Sequence, residues 1–152
     1  MAWTSQEIGT HFDTAVYNDG YLYAFDGRTE LDASLVCLEV KTGKLMWRVK
    51  PEWDETFTVD GTERKERLST FRGTLLYVDG HFLCLGELGH LLWMDLTPQS
   101  YKELKRTWLF AARETWSLPV LSHGLLYISQ NAREMLTGEL PRLLCYDLRA
   151  DK

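Results

Sequence analysis

The chain has 152 residues, 45% of them hydrophobic and 12% aromatic, a composition that buries enough surface to offset chain entropy and so argues against disorder. Its net charge of −5 comes from 22 acidic and 17 basic residues that are interspersed, which leaves no basic stripe for a nucleic-acid backbone. The apolar runs are strand-length and fall short of the roughly 18 residues of a membrane-spanning helix, and residues 1–10 (MAWTSQEIGT) have neither the basic nor the apolar region of a signal peptide.

Residues 1–8 (MAWTSQEI) place a Trp after a short apolar lead-in, as residues 44–50 (KLMWRVK) do. Residues 1–10 therefore read as the outer strand of a preceding unit. Residues 11–17 and 21–26 read as a hairpin across Asn18, Asp19 and Gly20, residue types that supply the positive φ of a tight turn. Tyr21, Tyr23 and Phe25 alternate with Leu22 and Ala24, so both faces are apolar and the strand suits a sheet lying between two others. Residues 27–34 read as a loop. Residues 35–47 (LVCLEVKTGKLMW) then give a third strand, a turn at Thr42 and Gly43, and an outer strand from Lys44 whose Trp47 can wedge against a neighbouring sheet. This completes a unit spanning 11–50.

Residues 51–68 hold a dense run of charged and polar side chains and read as an exposed connection longer than usual. The pattern restarts over 71–80 and 81–89, continues in 91–96 (LLWMDL), and passes through 97–104 as a longer loop with one helical turn at Pro98. An outer strand over 105–110 ends this second unit, 71–110. The third unit, 115–152, begins near Thr115, carries a polar insertion over 131–139 and resumes at Arg142 with LLCYDL over 143–148; the sequence stops at Lys152, where its outer strand is expected to begin.

Self-similarity at this period, with turn signals between short strands, marks a radial β array. The fold expected is all-β, with about three four-stranded antiparallel propeller blades in one segment. Three blades are too few to close a ring of the usual ~4–8. The partners expected are therefore the remaining blades of a larger propeller or a second copy of the chain. In the second case residues 1–8 of one copy pair beside 142–148 of the next.

No catalytic or metal-binding constellation accompanies these repeats. Cys37, Cys84 and Cys145 lack ligand spacing and read as small apolar core residues. His11, His81, His90 and His123 share no ligand spacing and read as solvated or hydrogen-bonded side chains. Glu39, Asp95 and Asp147 recur at one place in the repeats, which points to a structural hydrogen bond near the turn. Trp3, Trp47, Trp93, Trp108 and Trp116 read as packing residues, and Arg72, Gly73 and Thr74 have too few glycines for a phosphate loop.

Leu38, Glu39, Thr42, Gly43 and Trp47 together resemble the repeat motif of the pyrroloquinoline quinone (PQQ) repeat family. His11-Phe12, the segments 22–27, 73–89 and 97–104, and the strand pair 116–127 resemble, in order, the C-terminal blades of bacterial PQQ-binding-like β-propeller repeat proteins. The resemblance implies part of a quinoprotein-dehydrogenase-like β-propeller and a periplasmic or extracytoplasmic location. It also implies one of two functions. One is a non-catalytic scaffold for protein or ligand binding; the alternative is a portion of a PQQ-dependent quinoprotein oxidoreductase whose catalytic residues lie outside this chain. The dehydrogenases of that family hold PQQ with calcium and use adjacent cysteines, a pair absent here. No cofactor, metal or catalytic residue is therefore carried over; PQQ enters by resemblance alone, and the five motif residues are structural.

Overall fold

Short apolar runs broken by two-residue turns make strands that fold back on their neighbours. The computed structural model describes residues 1–29 and 32–149, and there it is all-β with thirteen strands and no helix. The first sheet is a meander of β1 (Val16–Asn18), β2 (Tyr21–Asp26), β3 (Ser34–Glu39) and β4 (Leu45–Val49). A separate hairpin follows, β5 (Glu52–Val59) with β6 (Thr62–Ser69). The second sheet is β7 (Gly73–Val78), β8 (His81–Gly86), β9 (His90–Thr97) and β10 (Ser100–Trp108), and the third is β11 (Val120–Ser122), β12 (Leu125–Gln130) and β13 (Arg142–Asp147). Every pairing is antiparallel, and the described strands form four separate sheets without closing into a barrel or ring.

Four hairpins share one turn. Asp19-Gly20, Asp60-Gly61, Asp79-Gly80 and His123-Gly124 all have positive φ at both positions, 45° and 87° in the first case. That is the type I′ geometry whose twist matches the flanking strands.

The three meanders pack face to face in chain order. Tyr23, Phe25, Leu35 and Cys37 of the first sheet meet Leu75, Phe82, Cys84, Leu92 and Met94 of the second, with the Tyr23 and Phe82 rings 4.8 Å apart. The other face of the second sheet presents Leu83 and Leu85 to Leu126 and Ile128 of the third. Burial on both faces accounts for the continuous apolar runs in β8 and β9. The outer face of the first sheet, where Ala24, Val36 and Leu38 are buried, is crossed by the N-terminal segment: Arg48, opposite Val36, donates to Glu7 O (2.7 Å).

Several expectations need correction. Residues 1–10 contain no strand; the Trp3 indole donates to Val40 O (2.7 Å), Gly9 N to the Asp26 carboxylate (2.6 Å) and Gly27 N to Gly9 O (3.4 Å), so the segment is held by scattered bonds, most of them through side chains, and forms no ladder. Residues 51–68 are a hairpin because Trp53, Glu55, Phe57 and Val59 alternate with more polar residues up to the Asp60-Gly61 turn. The stretch 97–104 is a tight turn and the start of β10: Thr97 pairs with Ser100, the Thr97 hydroxyl accepts from Ser100 N (3.1 Å), and Pro98 pre-sets the turn. The outer strand of this unit thus begins at Ser100 and ends at Trp108. The third unit enters its sheet only at Val120, and it has three strands among the described residues. Cys145 is exposed, because it lies on the face of β13 that no sheet covers, whereas Cys37 and Cys84 are buried. Part of the loop 27–34, and the end of the third unit beyond residue 149, fall outside the described residues.

Candidate functional site

The segments that lead into β1, β7 and β11 converge, and the residues just before those strands form a polar and aromatic cluster. Arg72 follows the β5–β6 hairpin and Glu87 follows β8; both are buried, Glu87 at 1% exposure. The guanidinium forks onto the carboxylate, with Arg72 Nε donating to Glu87 Oε2 at 2.9 Å and its terminal nitrogen to Oε1. Trp116, ahead of β11, donates its indole N–H to Glu87 Oε1 (2.9 Å). Arg72 also donates to His11 Nδ1 (2.9 Å) and Arg28 O (3.1 Å) and lies over the Trp116 and Phe12 rings, 5.4 and 5.9 Å from their centroids. Phe12 and Trp116 stack at 5.2 Å. Backbone bonds finish the junction, from Glu87 N to Thr70 O (3.0 Å) and from Thr115 N to Glu87 O (3.1 Å).

Beside this junction opens a cleft of ≈ 480 Å³, with walls that include Phe12, Val16, Leu75, Tyr77 and Trp116. Asp13, Thr14 and Thr74 supply polar groups along it. Asp13 accepts from Thr14 N (2.8 Å) and Phe25 N (3.5 Å), and burial pushes its carboxyl up to about 6 against the opposing pull of those backbone N–H groups. The Thr74 hydroxyl is buried with no hydrogen-bond partner among the described residues. Aromatic and aliphatic walls with a few polar groups are the usual make-up of a small-molecule site.

A second cluster joins the β5–β6 hairpin to the second sheet. His90, 1% exposed, stacks on Trp108 at 4.6 Å, meets the edge of Trp53 at 4.9 Å, and places Nε2 3.3 Å from Glu55 Oε2. Trp53 Nε1 donates to the same oxygen (2.9 Å), and the Arg106 guanidinium lies 4.0 Å from the Trp53 centroid. Burial lowers His90 to about 4, outweighing Glu55, so the neutral ring donates from Nε2, and Nδ1 has no partner among the described residues.

The motif residues lie elsewhere, at the turn between β3 and β4. Leu38 is buried, the Glu39 carboxylate accepts from the Thr42 hydroxyl, and Gly43 N donates to Glu39 O (2.8 Å). Gly43 has φ +72°, and the Trp3 ring packs against it. Trp47 reaches the second sheet, its indole donating to Thr97 O (2.7 Å). Asp147, in the third sheet, takes Arg149 N in the same local way (3.0 Å), and Asp95 pairs with His81 (2.6 Å). His123 bonds Ser122 (2.9 Å). Burial pushes the Cys37 thiol up to about 11 and the Cys84 thiol well above its ordinary value, which keeps both protonated at neutral pH.

Reading the sequence missed the importance of Arg72, Glu87, Asp13 and Trp116. The signal present was a charge at each end of the otherwise apolar β7–β8 hairpin, the pattern of a buried pair.

No family model and no curated protein matches the chain. The solved structures similar to it include a crystal structure of the computationally designed Ika8 protein, 13% identical with a TM-score of 0.44, aligned over 88% of this chain and 36% of that one. The chain thus spans about a third of the length of that protein, and a likeness at this level carries no argument about fold or function.

Proposed function

We propose that the chain is a non-catalytic binding scaffold: three successive blades of a β-propeller built from PQQ-like repeats, which hold a ligand or protein partner where their first strands meet. The observation that carries this reading is the cleft beside β1 and β7, walled by Phe12, Tyr77 and Trp116 and lined by Asp13 and Thr74. It is supported by the order of packing, in which like meanders lie face to face and Trp47 ties the first to the second. The Arg72–Glu87 pair serves the scaffold by fixing the segments that frame the cleft. Its partners in this reading are the remaining blades of a larger propeller or a second copy of the chain.

Two measurements test it. In an experimental structure, the rotation that superposes the first sheet on the second should equal the one that superposes the second on the third, about a common axis; unequal rotations would overturn the propeller. Purified chain incubated with PQQ and Ca²⁺ and then desalted is expected to retain no quinone absorbance. A stoichiometric band that Asp13→Asn abolishes would overturn the non-catalytic reading in favour of a quinoprotein oxidoreductase.

A further inference from the structure

The cleft beside the Arg72–Glu87 junction holds one acidic side chain and no basic one. Asp13 stands on the segment leading into β1, and its carboxylate accepts backbone N–H groups from Thr14 on that segment, Phe25 in β2 and Leu75 in β7. No basic side chain pairs with it among the described residues. Thr74, 3% exposed, adds a hydroxyl that has no partner among the same residues. The remaining surface is mostly aliphatic or aromatic, with Tyr77 and Trp116 the largest side chains after Phe12 is joined to the Trp116 ring. The walls run from Phe12 to Leu118, so neither end of the chain enters the site.

These features select a ligand. Burial raises the Asp13 carboxyl to about 6, so at neutral pH it is mostly ionised in a place where charge is poorly solvated. Backbone N–H groups offset part of that cost, and a charge-assisted bond from a cation offsets more. An anion is disfavoured by the same carboxylate and by the net charge of −5. The nearby Arg72 is committed elsewhere, its guanidinium forked onto Glu87 and laid over the Phe12 and Trp116 rings. The Thr74 oxygen narrows the head group further, because it can accept an N–H that a quaternary ammonium lacks. The walls choose the body: a flat ring gains most area and the best stacking against Tyr77 and Trp116. At ≈ 480 Å³ the cleft is of small-molecule size.

We infer that the cleft binds a small aromatic primary amine as its ammonium ion, with the head group donating to the Asp13 carboxylate and the Thr74 hydroxyl and the ring lying on Tyr77 and Trp116. This names a ligand class for the cleft that the scaffold reading treats as its binding site, and it rests on that reading.

The probes are tryptamine, tryptophol and indole-3-acetate, which share an indole and carry an ammonium, a hydroxyl and a carboxylate, together with Nα-acetyl-lysine methylamide, an ammonium without a ring. Each is titrated into the full chain by calorimetry at a pH above the Asp13 titration, with amide NMR shifts at Thr14, Leu75 and Tyr77 marking the site. Tryptamine is expected to bind there one to one, and the other two indoles about tenfold or more weaker. Asp13→Asn should abolish that preference, and Thr74→Val should weaken tryptamine several-fold. Tryptophol or indole-3-acetate binding in the cleft as tightly as tryptamine would overturn the cationic ligand while leaving the cleft a binding site. A lysine derivative that matches tryptamine would overturn the small aromatic ligand in favour of a lysine side chain of a protein partner. No shift at those amides with any probe would overturn the inference and remove the cleft from the scaffold reading as well.

Discussion

Glu87 shows how a single buried residue organises this molecule, since it takes the Arg72 guanidinium, the Trp116 indole and two backbone contacts at 1% exposure. Removing one member of a buried pair strands the other, at about 3–5 kcal/mol, whereas replacing both by apolar residues is often close to neutral. Glu87→Gln is therefore expected to lose several kcal/mol of unfolding free energy in urea titrations, and Arg72→Met with Glu87→Leu to recover most of it; an additive double variant would refute the pairing. Two other buried groups set opposite pH trends. Asp13 titrates near 6 when folded against 3.8 for an ordinary aspartate, so the folded state holds the extra proton and this contribution is lost as pH rises through that window. His90 titrates near 4 against an ordinary 6.5, so the unfolded state holds the proton and its contribution is lost as pH falls. Between about pH 4 and about pH 6 the two offset each other. Urea stability measured across that range should rise more steeply with pH in Asp13→Asn than in the parent chain, and less steeply in His90→Gln. Parallel profiles for all three proteins would show that neither group is coupled to folding.

The β3–β4 turn depends on an element distant in sequence, the N-terminal segment, and the two can be separated experimentally. Gly20 and Gly43 both have positive φ, but a Cβ at Gly20 meets nothing within 4 Å, while one at Gly43 would lie 2.5 Å from Trp3 Cε3. Gly20→Ala should cost only the left-handed backbone penalty, about 1 kcal/mol. Gly43→Ala should cost more, with Trp3 expelled and residues 1–9 cut faster by protease; equal cost and equal cleavage would mean that the segment does not depend on the turn. Much of this layer of structure was legible in the sequence. Asp-Gly turns between alternating strands mark the hairpins, and the recurrence of LVCLEV, LLWMDL and LLCYDL marks the third strand of each meander. The hairpin over 52–69 was obscured because charges crowd its outer face, although Trp53, Phe57 and Val59 kept the two-residue period and Asp60-Gly61 supplied the turn. The candidate site was not legible for a different reason. His11, Arg72, Glu87 and Trp116 come from four segments, and their meeting is a product of how the sheets pack, which no local period encodes.

Across the whole molecule, the three meanders pack face to face in chain order, with the Phe12–Trp116 stack as a further link at one end, and behave as a short array in which stability is largely a sum of units and interfaces. The second sheet has two interfaces, with Leu92 and Met94 buried on one face and Leu83 and Leu85 on the other. The first has one such interface and the cover supplied by Trp3, Glu7 and Gly9. The third has one interface and a bare face carrying Val120, Leu143 and Cys145, all exposed. Opening free energies should follow that order. Native-state hydrogen exchange is expected to protect β8 and β9 most, β2 and β3 next, and β12 and β13 least. A truncation at one interface then tests the nearest-neighbour logic directly. Leu85→Ala removes contacts that only the third sheet shares, so it should speed exchange in β12 and β13 while β2 and β3 keep their protection. Phe82→Ala acts on the other face, against Tyr23, and should loosen β2 and β3 instead. Should both variants accelerate exchange uniformly in all three sheets, the chain would unfold as one cooperative unit with no nearest-neighbour order.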